Sequence, residues 1–193
     1  MTPNRCRTQV HHLLNALLCS NLAADCRNPV LSESRNGFSR VTWPPPLGNQ
    51  DCQKFFEDFY AVEIHIGWLT TRQYSAALFD GSLLQMTFDF KKAELLGHRL
   101  AYIPCPFRID DEGKEMLRSE PILDVIEVYR GRGEKYLRLR TPIRFGFDPR
   151  AAAIAHPASH ITLNDQACRI PACAPLSVGL FIKFVFRHFY PEV

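Results

Sequence analysis

The stretch Phe79-Asp-Gly-Ser-Leu-Leu-Gln-Met-Thr-Phe-Asp-Phe-Lys91 decides the fold. Within it Leu84, Met86, Phe88 and Phe90 alternate with Gln85, Thr87, Asp89 and Lys91. A period of two over eight residues predicts a strand with one buried and one wet face. Asp80-Gly81 ahead of it is a hairpin-type turn, which makes Tyr74 to Phe79 the partner strand. Gly97 then separates a third strand, His98 to Ile103, which stops at Pro104-Cys-Pro106. Three consecutive antiparallel strands form a meander.

Toward the C-terminus, Ile109 to Glu120 reads as a charged loop with a short helical turn. Ile122 to Tyr129 suits a strand or a short helix, broken by Gly131 and Gly133. Leu137 to Phe147 alternates again, with Arg138, Arg140 and Arg144 sharing one side, and Pro142 marks an edge or bulge. His160 to Leu163 and Arg169 to Pro171 read as strands. Ser177 caps a helix running to about Phe189, apolar on most sides and therefore buried.

Toward the N-terminus, Asp51 to Tyr60 reads as a helix, followed by Val62, Ile64 and Ile66, which alternate like a strand. Residues 28 to 50 are rich in Ser, Asn, Gly and Pro and read as a long connection. Thr8 to about Cys26 reads as a helix capped by Thr8, with Val10, Leu13, Leu14, Leu17, Leu18 and Leu22 on one face. The expected fold is α+β. A mostly antiparallel twisted sheet of about five to seven strands packs against N-terminal and C-terminal helices. Residues 1–50 would supply a helix and a Pro-rich connection, and 51–193 a single α+β domain.

Composition narrows the class. The 193 residues are 46 % hydrophobic, with 14 Phe to fill a core. A net charge of +3 is too mild to indicate nucleic-acid binding by itself, but it says nothing about how charge clusters. Seven Cys, an odd count, with no Cys-x-x-Cys pair, argue against a disulfide framework or a zinc ribbon and for reduced thiols in a cytoplasmic protein. No apolar run is long enough for a membrane span.

Chemistry has three places to sit. His156, His160, Asn164, Asp165, Cys168 and Arg169 cluster in sequence. His156 and His160 could shuttle a proton while Arg169 holds an anion. His156, His160 and Cys168 are also candidate ligands for a divalent metal, although no cofactor is indicated outright. The same histidines could instead lock the loop that leads into the closing helix. Second, Arg138, Arg140 and Arg144, extended by Arg130, Arg132 and Lys135, form a basic stripe able to track phosphates or to guard a sheet edge. Third, Asp80 followed by Asp89-Phe-Lys91 resembles the metal-binding core of PD-(D/E)xK nucleases. No Walker or dinucleotide loop and no Gly-x-Ser-x-Gly elbow is present.

Several ordered motifs carry a wider resemblance. They are Asp80-Gly-Ser, His98-Arg-Leu-Ala-Tyr-Ile-Pro-Cys-Pro106, Pro142-Ile-Arg-Phe-Gly-Phe-Asp148, His156-Pro-Ala-Ser-His160, Cys168-Arg-Ile-Pro171 and Phe189-Tyr-Pro191. Over residues 51–191 the chain resembles an uncharacterised bacterial family of unknown function. The 28–50 segment has no part in that resemblance. The resemblance implies a cytosolic bacterial protein associated with mobile elements or phage defence. It favours the two histidines and Arg169 over the Asp89-x-Lys91 pair. The functional expectation is a non-enzymatic accessory or binding component that meets another protein or a nucleic acid and no membrane. Its rival is a metal- or histidine-dependent hydrolase, most plausibly a nuclease.

Overall fold

The computed structural model describes residues 1–34, 36–45, 61–163 and 167–192. Helix α1 (Pro3–Cys19) is followed by strands β1 (Ala23–Cys26), β2 (Val30–Glu33) and β3 (Phe38–Thr42). Helix α2 (Ala61–Thr70) leads to β4 (Ala76–Leu78), β5 (Leu83–Lys91) and β6 (Glu94–Ile103). Helices α3 (Asp111–Ser119) and α4 (Ile122–Gly131) precede β7 (Ile143–Phe147), β8 (Ser159–Leu163), β9 (Arg169–Pro171) and α5 (Val178–Phe189). The strands join one antiparallel sheet in the order β1-β4-β5-β6-β7-β8-β9, and β3 pairs with both β2 and β5. The fold is α+β, with helices at both ends of the chain.

The alternation of β5 places Leu84, Met86, Phe88 and Phe90 on the near face, where Leu100, Tyr102 and Phe145 continue the layer. Helix α1 covers this face with Cys6, Val10, Leu14 and Leu17. Helix α5 covers it with Val178, Phe181, Ile182 and Val185. The Ser177 side chain accepts the Leu180 N–H and caps α5 as expected. The chain end is tied to the central hairpin: Tyr190 donates to Asp80 at 3.0 Å, and its hydroxyl lies 3.2 Å from that of Tyr102.

The far face is not uniformly wet. Leu83, Ala77, Ala101 and Ile103 are buried there under Trp68, Leu117, Val125 and Ile126 from α2, α3 and α4. Those helices cover one half of the far face. The other half, from Arg99 outward to β9, carries a groove.

Several expectations give way. Helix α1 starts at Pro3 with Thr2 as its cap and ends at Cys19, because Pro at the first position and a capping hydroxyl before it outweigh the later Thr8. Val30–Glu33 and Phe38–Thr42 are not connection but the paired strands of a hairpin, with Gly37 at φ +73° ahead of the second. The β5–β6 turn falls at Lys92, with φ +57°, and Gly97 lies inside β6. A Cβ at Gly97 would come within 2.7 Å of the Phe147 carbonyl, so glycine there permits strand contact rather than a turn. Residues 111–119 form a full helix capped by Asp110, and 122–131 a second one. Of the long strand expected over 137–147 only 143–147 pairs; Leu137 makes a lone bridge to Phe107. Val62, Ile64 and Ile66 belong to α2, not to a strand. Helix α5 is amphipathic rather than buried all round, with Leu180 exposed. The helix expected over 51–60 lies outside the described residues, as do Asn164 and Asp165.

Candidate functional site

The groove on the open half of the far face has a volume of about 640 Å³. Strand register sets its floor in two rows. Arg99, Gly146 and His160 face one another across β6, β7 and β8. One step along, Arg144, Thr162 and Arg169 do so across β7, β8 and β9. The connection after β7 adds Arg150 and His156 as a wall. A second groove of about 430 Å³ shares Asp89, Arg99 and Arg150 with the first and extends it to Arg40 of β3 and Glu33 of β2.

His160 is fixed from two sides. It is 8 % exposed, and its Nδ1 lies 2.8 Å from the Pro157 carbonyl, which accepts the ring N–H. Its ring lies on Gly146, where an added Cβ would come within 2.6 Å of Nε2. Only glycine leaves room for that imidazole. His156 stands edge-on to it, with ring centroids 4.9 Å apart. Partial burial, and then the positive charge of Arg169 and the His160 ring, hold the His156 pKa below the ordinary histidine value, while Asp148 opposes them. Burial also lowers the pKa of Arg144.

The two carboxylates of the groove are already engaged. Asp89 accepts from Arg40 at 2.6 and 3.1 Å, a two-pronged pair, and lies 3.8 Å from Arg99. Asp148 accepts from the Arg150 side chain at 3.0 and 3.3 Å, which holds its carboxyl below the usual range. These pairs occupy Arg40 and Arg150 as well as the two carboxylates, and Arg99, Arg144 and Arg169 leave the groove with a net positive charge. The arrangement suits an anion.

His156, His160 and Arg169 thus come together as the sequence suggested, and Arg144 joins them. Cys168 is exposed. Among the described residues no three His, Cys, Asp or Glu side chains group closely enough to hold a metal ion. The basic stripe divides. Arg138 and Arg140 lie in a separate depression with Arg108, Lys114, Asp80, Asp110 and Tyr190, where Arg140 is 4.0 Å from Asp80. The stripe splits because 138–142 is not strand, so alternation does not carry it onto the face of Arg144. The nuclease-like triad also separates. Asp80 precedes β5 and Asp89 lies near its far end, on the order of 20 Å along a strand. Lys91 stands over the Phe38 ring at 5.6 Å.

Sequence reasoning missed Arg40, Arg99, Arg150 and Thr162. The parity of Arg99 and Thr162 in their strands was a usable signal. Arg40 gives no such signal, because the Ser-, Asn- and Pro-rich composition around it masks the short strand it sits on.

The family model of an uncharacterized conserved protein (DUF2290) matches residues 22–193. The match begins at residue 22, so the 28–50 segment is part of the likeness after all. No curated protein and no solved structure matches the chain. Among the described residues no helix is long and apolar enough to cross a membrane.

Proposed function

Since the chain belongs to this uncharacterised conserved family, which brings no activity with it, we propose that it is a non-enzymatic binding protein that takes the phosphodiester backbone of a nucleic acid on the open half of its sheet. One observation carries the reading: Arg40, Arg99, Arg144, Arg150 and Arg169 converge from separate elements on one continuous groove. Guanidinium groups match phosphate oxygens in geometry as well as charge. A cytoplasmic accessory role in a bacterial defence or mobile-element system fits such a module.

The rival reading, a histidine-dependent hydrolase, finds less support. His160 spends one ring nitrogen on the Pro157 carbonyl, 2.8 Å away, which leaves a single nitrogen for proton transfer. The His160 ring is also largely covered.

The test is capture of labelled nucleic acid by the purified protein. Arg99→Glu with Arg169→Glu is expected to abolish it while leaving the melting temperature within a few degrees. Arg138→Glu with Arg140→Glu, on the separate depression, should leave it intact. Capture unaffected by the first pair rejects the surface. Phosphodiester cleavage by the wild type that is lost in His160→Ala would favour the hydrolase.

A further inference from the structure

Register places Thr162 directly between two arginines. Arg144 of β7 and Thr162 of β8 are cross-strand partners, and so are Thr162 and Arg169 of β9. Neighbouring strands lie about 4.8 Å apart, so the two arginine backbones stand about 10 Å apart with a hydroxyl midway. All three residues line the groove, with His156 beside them. Two guanidinium groups and a central hydroxyl can surround an anion on three sides, matching phosphate oxygens in charge as well as in hydrogen-bond donors. The charge is also informative. Among the described residues that line this groove, four arginines face two aspartates, a surplus of two positive charges from these side chains. A phosphodiester carries one negative charge, whereas a phosphomonoester carries about 1.5 to 2 at neutral pH. The cradle sits at the β9 end of the sheet, while the groove continues the other way past Arg99 to Arg40. A strand anchored by its end at β7–β9 would lay its following phosphates toward those arginines.

We infer that Arg144, Thr162 and Arg169 form a cradle for the terminal phosphomonoester of a nucleic-acid strand. This rests on the nucleic-acid reading above. The experiment compares single-stranded oligonucleotides of about ten residues with a 5′-phosphate, a 3′-phosphate or hydroxyls at both ends, alongside a nucleoside monophosphate, by titration calorimetry. One phosphorylated end should bind at least tenfold more tightly than the hydroxyl form. Thr162→Val, which keeps shape and strand preference, should remove most of that ratio at an unchanged melting temperature. Arg169→Gln should remove it too, leaving weaker binding through Arg99 and Arg40. Equal affinity for all three oligonucleotides, or a ratio untouched in Thr162→Val, overturns the cradle and leaves the nucleic-acid reading standing. Binding of the monophosphate with no binding of any oligonucleotide overturns the nucleic-acid reading instead. Binding of neither overturns both.

Discussion

At the scale of single residues, two glycines carry opposite consequences. Gly146 lies under the His160 ring, and Gly179, in the first turn of α5, has nothing within 4 Å of where a Cβ would stand. Gly146→Ala must push a buried imidazole off its place and off the Pro157 carbonyl. It is expected to cost about 1–3 kcal/mol. Gly179→Ala only reduces the freedom of the unfolded chain and is expected to stabilise by a few tenths to about 1 kcal/mol. Urea titrations of the two variants check both signs. A neutral Gly146→Ala would mean that His160 is not held there. The His156–His160 motif was visible in the sequence, but the glycine that seats it was not. A contact across two strands leaves no local pattern.

At the scale of elements, α2 and the β6–α5 junction each depend on a buried neutral histidine. His65 in α2 is 1 % exposed and His98 in β6 is 3 % exposed. Burial lowers both pKa values to about 4. His98 Nε2 accepts the Leu176 N–H at 3.1 Å, just before the helix cap, so the ring must stay neutral there. An unfolded histidine takes up its proton near pH 6.5. The unfolded state therefore binds more protons between about pH 6.5 and 4. Stability should be full above that window and fall as the pH drops through it. For the two together the loss from pH 7 to pH 5 is on the order of 3 kcal/mol. Denaturant titrations at both pH values measure it, and equal stabilities would show that these rings are not held neutral. The α5 cap offers a second check. Ser177→Ala removes the acceptor for the Leu180 N–H and should cost about 1 kcal/mol by thermal unfolding.

At the scale of the whole molecule, the net charge of +3 hides its distribution. The groove gathers arginines from β3, β6, β7 and β9, so binding should respond to salt as a local property. With a surplus of two charges, the slope of log affinity against log salt for a single strand is expected to be about −1.4. A slope near zero across 50 to 300 mM salt would argue against phosphate contacts.

What the sequence by itself determined was local. The strand over 83–90, the Asp80-Gly81 turn and the Ser177 cap each depend on residues a few positions apart, and each formed as expected. The antiparallel α+β class followed from them. Short strands with mixed composition, such as Val30–Glu33 and Phe38–Thr42, lack that periodicity and exist because β5 offers its edge to them. Only tertiary structure decided which half of the far face α2, α3 and α4 would cover. The groove is the half they leave, and its residues come from segments that share no sequence neighbourhood. The basic stripe shows the same limit in reverse. Arg138, Arg140 and Arg144 look equivalent by spacing, yet pairing begins only at Ile143, and the first two turn away to another site. Side-chain parity is set by hydrogen bonding to a neighbouring strand, and that neighbour is chosen by the packing of the whole chain.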